Sequence, residues 1–374
     1  MKKILICSTI LSTVSGFLIP HIRLLQELGY SIDVAGYKDI NELDNIVNNV
    51  YDIPFQRTPF SKLNISASRK LKEIVSNNGY NMIHFHTPVA SAFGRWTVRN
   101  YRKFGTKVFY TAHGFHFFKG APLKNWLFYY PVERWLARYT DVLLTMNKED
   151  YDRAKSSFKA GKIEYIPGVG IDITKFSEAV VDRSSKRKEL DLPDDAVVVL
   201  SVGELSRRKN HETVIKAIGK INNKNVYYII SGDGVLVDYL EELVKKLSLE
   251  KQVKLLGHRR DIDGLNKASD VFAFPSFQEG LPVALMEAMA AGLPVVCSRI
   301  RGNIDLIEQD VGGYLCAPDD IDGFAEAISK LAENTALRQK MCEQNLKSVN
   351  KYDFKNIQYT IRDIYQRGLF TEGN

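Results

Sequence analysis

No run of about 18 apolar residues occurs anywhere in the 374 residues, so no membrane-spanning helix is expected. Cysteine is scarce. Cys7, Cys297, Cys316 and Cys342 are scattered, with no Cys-x-x-Cys pair and no zinc spacing. That argues against a disulfide framework and a zinc module and suits a reducing cytoplasm. Biased tracts and short-period repeats are also missing, as in an ordinary globular composition. The start, Met1-Lys2-Lys3-Ile4-Leu5-Ile6-Cys7, could open a signal peptide. Ser8, Thr9, Ser12, Thr13 and Ser15 interrupt it and no small-residue cleavage site follows, so a buried first strand is expected.

The length exceeds one ordinary core and fits two lobes. The net charge of +7 is concentrated. Residues 91–140 hold nine basic residues (Arg95, Arg99, Arg102, Lys103, Lys107, Lys119, Lys124, Arg134, Arg138) against one acid, Glu133. All three tryptophans, Trp96, Trp126 and Trp135, lie in that segment, with Phe115, Phe117, Phe118, Phe128, Tyr129 and Tyr130. Basic residues mixed with interfacial aromatics suit an anionic membrane surface or an anionic lipid-linked substrate. Nucleic acid could use the same mix and is the less favoured partner. An aromatic core with solvated charges is the plainer alternative.

Short β-branched runs alternate with helical patterns. Strands are predicted at 3–8, 31–35, 81–86, 107–112, 142–146 and 163–166, and helices at 17–29, 65–77, 89–103, 124–139 and 148–158. The pattern restarts with strands at 196–202, 225–231, 253–256, 271–275, 294–298 and 313–316, with helices between them. Helical segments near 335–349 and 353–370 end the chain. Such alternation predicts an α/β protein of two doubly wound parallel-sheet lobes. The Pro/Gly-punctuated run Ile166-Pro167-Gly168-Val169-Gly170-Ile171-Asp172 reads as a hinge. The expected domains are 1–172, 173–352 and a C-terminal helix, 353–374, returning to the first lobe. Two such lobes facing each other would hold ligands at the carboxyl ends of their strands.

The strongest chemical signal follows strand 271–275. Glu287 is the only charge between Glu279 and Arg299, on an apolar helix that Pro282 opens and Gly292 ends. A lone carboxylate there is costly without hydrogen-bond partners, which ribose hydroxyls would supply; the plainer alternative is an Arg elsewhere pairing with Glu287 while Glu279 stays solvated. Glu279 and Gly280 precede the helix. Its start, near Gly280, Leu281 and Val283, offers free N–H groups and a positive dipole end to a diphosphate. A second signal is Gly203-Glu204-Leu205-Ser206-Arg207-Arg208-Lys209, whose three cations can take up leaving-group charge. Gly232-Asp233-Gly234 is a weak turn signal. Asp261-Ile262-Asp263 could be taken for a metal-binding pair, but capping by Asp261 of the helix that follows is the better reading.

The run Phe274-Pro-Ser-x-x-Glu-Gly-x-Pro-x-x-x-x-Glu-Ala-Met-Ala-x-Gly-x-Pro-Val resembles the donor signature of family 4 retaining glycosyltransferases, which have the GT-B fold. The resemblance implies a nucleotide-sugar donor, expected to be UDP-linked, with Glu287 on the ribose and Glu279 on the sugar hydroxyls. It implies that Lys209 grips phosphate. The family's Arg is Glu204 here, leaving Arg207 or Arg208 to replace it. Gly257-His258-Arg259-Arg260 would meet the base through backbone groups. Gly16, the one glycine in the run after the first strand, would lie near phosphate or sugar. His113 would contact the sugar near its anomeric carbon. His84 and His86 alternate on one strand, so they share a face. His86 and Thr87, with Phe115 and His116, are expected on the acceptor side.

No Walker loop or Ser-His-Asp pattern appears, so the chemistry expected is stabilisation of the leaving group. The resemblance implies retention with no cofactor, no metal and no protein nucleophile. The basic aromatic segment suggests a lipid-diphosphate-linked saccharide acceptor, a peripheral place on the inner membrane face, and capsule, exopolysaccharide or glycan assembly. The sequence assigns no oligomeric state. The rivals are a nucleotide-sugar epimerase of the same fold and a non-catalytic sugar-binding member.

Overall fold

A computed structural model describes residues 2–369. The chain divides into two compact units, one running to Val169 and resuming at Lys355, the other Gly170–Phe354.

The first unit runs β1 (Lys3–Ile10), α1 (Leu11–Phe17), α2 (Ile19–Glu27), β2 (Ser31–Tyr37), β3 (Asn49–Asp52), α3 (Leu63–Asn78), β4 (Met82–Phe85) and α4 (Pro88–Val98). It continues with β5 (Lys107–Ala112), α5 (Leu123–Leu136), β6 (Val142–Thr145), α6 (Lys148–Ser157) and β7 (Lys162–Tyr165). All its strands are parallel, in the order β3-β2-β1-β4-β5-β6-β7. β1, β4, β5 and β6 are almost wholly buried, which is why they read as continuous apolar runs. The short, partly exposed edge strand β3 carries no such signal.

The run 8–17 is not a loop. β1 leads straight into α1, whose Leu11 and Val14, three residues apart, bury one helical face. Gly16 therefore sits on a helix, facing open space.

The second unit opens with α7 (Ile173–Ser177) and α8 (Arg183–Glu189), then β8 (Val197–Val202), α9 (His211–Lys220), β9 (Val226–Ser231), α10 (Val237–Lys246) and β10 (Val253–Leu255). After these come α11 (Ile262–Ala268), β11 (Val271–Phe274), α12 (Val283–Ala290), β12 (Val295–Ser298), α13 (Asn303–Leu306), β13 (Gly313–Cys316), α14 (Ile321–Glu333) and α15 (Thr335–Val349). Its parallel order is β10-β9-β8-β11-β12-β13. A final helix, α16 (Phe354–Leu369), packs with the first unit, where Tyr365 bonds His84.

Sheet order reverses between β1 and β4 in one unit and between β8 and β11 in the other. Adjacent loops leave such a pair of strands in opposite directions, and the gap at their carboxyl ends is where ligands settle in this architecture.

Candidate active site

In the second unit the switch point gathers the two strongest sequence signals. The turn after β8 carries Arg208 and Lys209, and the turn after β11 carries Glu279. Lys209 Nζ and Arg208 Nη1 each lie 2.9 Å from Glu279 Oε1. Both cations meet the same oxygen, which leaves Oε2 without a protein partner among the described residues. Burial pushes the Lys209 ammonium below the usual lysine range, and Glu279 opposes that shift. The ammonium also lies 4.5 Å from the Phe274 ring centroid.

Between Arg207 and Arg208, geometry distinguishes clearly. Arg208 reaches Glu279, with Glu204 3.8 Å from its other amino group. Arg207 instead lines a depression with Glu212 and Tyr239.

Neighbouring loops are stitched edge to edge. Gly203 N–H donates to Ser231 O at 2.9 Å, Leu205 N–H to Asp233 O at 2.8 Å, and Gly232 N–H to Gly257 O at 2.9 Å. A Cβ on Gly232 would stand 1.9 Å from Gly203 O, so this glycine serves close loop packing. Asn210 donates to Pro275 O at 3.0 Å and Pro318 O at 2.7 Å, tying the β8 turn to the β11 turn.

The loop before α12 is also held from behind by residues that sequence reading missed. Arg301 Nε donates to Glu279 O at 3.1 Å. Gly302, at φ +79°, comes so close that a Cβ would lie 2.1 Å from Gly280 O. Both stand some 20 residues downstream, with no local pattern to announce them.

Glu287 lies one turn into α12, half-buried, leaning toward the helix start. No side chain caps that start. The Glu287 carboxylate has no hydrogen bond or ion pair among the described residues. Burial pushes its pKa up to about 7, with Lys175 of α7 pulling the other way. Leu281 is buried and Val283 half-buried beside it.

One reading near β10 needs revision. Asp261 does not cap α11 with its side chain. It takes Arg259 at 2.6 Å and Lys186 at 2.9 Å instead, two full cations that draw the carboxylate away from the helix start. Arg259 also pairs with Glu189 at 2.6 Å, so its guanidinium is committed within the protein, while His258 is exposed.

In the first unit, the ends of β4 and β5 bring four histidines together. His86 Nδ1 lies 3.1 Å from His113 Nε2. His84 is satisfied by the Tyr365 hydroxyl and by Thr111 Oγ1 at 2.8 Å, and its ring lies 4.1 Å from that of His86. His21 Nε2 meets Val169 O at 3.0 Å. Burial depresses all four, His21 and His113 to about 4 and His84 to about 3. They are neutral rings. His113 is half-buried. His86 is buried beside it and orients it. Thr87 Oγ1 bonds Thr9 N at 2.8 Å and Thr9 Oγ1 at 2.7 Å across the switch point. Phe115 is core, stacked on Phe117 at 4.8 Å, and not an acceptor contact. His116 is half-buried against Tyr129 at 4.7 Å.

The basic aromatic segment separates into core and surface. Phe115, Phe117 and Phe118 are buried. Arg95 is fully buried, paired with Glu133 at 2.6 Å, and Arg102 pairs with Asp141 at 2.7 Å. On α5 the exposed residues are largely apolar: Leu123 (73% exposed), Leu127, Phe128 (64%), Val132 and Trp135, interleaved with Lys124, Arg134 and, just beyond, Arg138.

A family model described as Glycosyltransferase Family 4 matches residues 21–175, and one described as Glycosyl transferases group 1 matches 182–348. EpsD of Bacillus subtilis (strain 168), whose name places it among glycosyltransferases, is 33% identical over 97% of this chain and 96% of its own length. The Escherichia coli UDP-Gal:alpha-D-GlcNAc-diphosphoundecaprenol alpha-1,3-galactosyltransferase is 31% identical over 81% of each chain. Among solved structures, Anabaena HepE in complex with UDP and glucose superposes with a TM-score of 0.81 at 23% identity, covering 98% of this chain and all of its own.

Proposed function

The chain belongs to glycosyltransferase family 4, has the GT-B fold and uses a nucleotide sugar; from that membership we propose a retaining transfer of a hexose or N-acetylhexosamine from a UDP-linked donor to a lipid-diphosphate-linked saccharide. The observation that carries this reading is the cluster of Lys209, Arg208 and Glu279 beside the uncapped start of α12. In it, Lys209, Arg208 and the helix N–H groups take up charge as the sugar–phosphate bond breaks. Glu279 Oε2 and the Glu287 carboxylate accept hydroxyls of the donor sugar and ribose. His113, neutral and steadied by His86, meets the sugar. The acceptor hydroxyl attacks from the face that the diphosphate leaves. No metal enters the step, so activity survives EDTA.

The lipid-linked acceptor is supported by the E. coli relative's name and by α5. An exposed apolar face among Lys124, Arg134 and Arg138 fits the interface of an anionic membrane, and no helix among the described residues is long and apolar enough to cross one. The role this serves is capsule, exopolysaccharide or glycan assembly.

The test is a panel of UDP-hexoses and UDP-N-acetylhexosamines with a polyprenyl-diphosphate-linked saccharide, read by mass spectrometry. One added sugar in the lipid fraction is expected. Epimerised donor in the absence of acceptor would point to an epimerase instead, and no turnover with any pair would remove the assignment. Separately, Leu127→Ser/Phe128→Ser should abolish flotation with anionic vesicles while leaving the melting temperature unchanged.

A further inference from the structure

Next to the apolar face of α5 lies a separate depression of about 510 Å³, formed by α3, α4 and the turn at 101–104. Three cations line it, Arg69, Lys72 and Arg99, and no acid does. Arg69 and Lys72 stand one turn apart on the exposed side of α3. Neither side chain has an ion pair or hydrogen bond among the described residues. The Arg99 guanidinium is fixed in place, 3.5 Å over the Trp96 ring. Like charges gathered without a counter-ion repel one another, and an anion between them would reverse the sign of that interaction.

The rim of the depression is apolar. Phe104 is 84% exposed and Ile65 54%. Trp96, also exposed, packs on Trp135 of α5 with ring centroids 4.7 Å apart, so the depression continues into the α5 face. A soluble anion would need the cations but gain nothing from Phe104 and Ile65. An acyl chain would gain from the rim but not from the cations. An anionic phospholipid uses both, with its phosphate among the basic groups, its chains past Phe104 and Ile65, and the indole at the headgroup level.

We propose that this depression is a headgroup site for an anionic phospholipid, separate from the glycosyl acceptor. It rests on the membrane reading of α5 and adds selectivity to it. The α5 face, with Lys124, Arg134 and Arg138, supplies adhesion and a general attraction to an anionic bilayer, and Arg69, Lys72 and Arg99 add a further preference for a phosphate-bearing headgroup.

The test is flotation of the full chain with pure phosphatidylcholine vesicles and with equimolar phosphatidylcholine and phosphatidylglycerol. A basic side chain near an anionic surface contributes about fivefold in partitioning, so Arg69→Gln/Lys72→Gln should lose about 25-fold on the mixed vesicles and nothing on phosphatidylcholine. The charge-matched Lys245→Gln/Lys246→Gln, on α10 of the other unit, should keep the preference. Dihexanoyl phosphatidylglycerol should shift tryptophan fluorescence in the wild type but not in Arg69→Gln/Lys72→Gln, and inorganic phosphate should shift neither. If wild type ignores both vesicles, the membrane reading fails and this site with it. If wild type prefers phosphatidylglycerol and Arg69→Gln/Lys72→Gln prefers it equally, the headgroup site alone fails. Self-association through this face, seen as a dimer that Phe104→Ser dissolves, would also overturn it.

Discussion

A half-buried carboxylate with no cation bound to it has to be explained by what it waits for, and Glu287 is such a group. Burial raises its pKa from the usual carboxylate range to about 7. A raised folded value means that stability is greatest below the unfolded value and is lost as pH climbs through about 7. Ligand-free Glu287→Gln should therefore melt above wild type at about pH 8 and level with it at about pH 4, which thermal melts at both values check. The same substitution should weaken UDP binding. Wild-type affinity should rise through about pH 7 as the carboxylate ionises, and the Gln variant should show no such rise, measured by titration calorimetry. Equal melts at both values would mean that Glu287 is not strained. The Glu279-x7-Glu287 pair was legible in the sequence because both glutamates sit on one short segment. The oxygen of Glu279 that stays open was not, because it depends on where Arg208 and Lys209 arrive from another strand.

At the scale of elements, the Arg95–Glu133 pair clamps α4 to α5 beneath the exposed apolar face. Arg95 also lies 4.3 Å over the Tyr110 ring, and the Tyr110 hydroxyl donates to Glu133 at 3.3 Å. Arg95→Met strands a buried carboxylate and should cost about 3–5 kcal/mol. Arg95→Met/Glu133→Gln should recover most of that, since a neutral amide still accepts from Tyr110. Urea denaturation of the three proteins decides it, and equal losses in the single and double variants would contradict it. In the sequence Arg95 counted as one more surface cation. Only tertiary packing separates it from Arg99, four residues away, which stays at the surface. The strands were legible for the opposite reason, since a parallel strand buried on both faces announces itself by composition alone. Asp261 departs from the expected cap because an Asp before a helix has more than one structural use.

For the molecule as a whole, two sheets with the same pattern of strand order do different work. The first unit carries the neutral histidines and all three tryptophans. Folded values of about 3 to 4 lie below that of a free imidazole, so their contribution is intact above about pH 6.5 and lost as pH falls toward 4. Tryptophan-monitored unfolding should therefore weaken steeply from about pH 7 to 5, and His84→Gln should lower the linked proton uptake by about one. The Tyr365–His84 bond brings the C-terminal helix into this cluster, a contact across 281 residues that no local pattern could foretell. The second unit carries the cations and carboxylates assigned to the donor, and there the central claim can be tested most directly. The measurement is steady-state transfer by Lys209→Ala against wild type, with melting temperature as the control. Loss of one preorganised charge from the leaving group predicts a fall in kcat/KM of about 100- to 1,000-fold with the fold intact. Turnover near the wild-type value would contradict the assignment of Lys209 to the departing diphosphate.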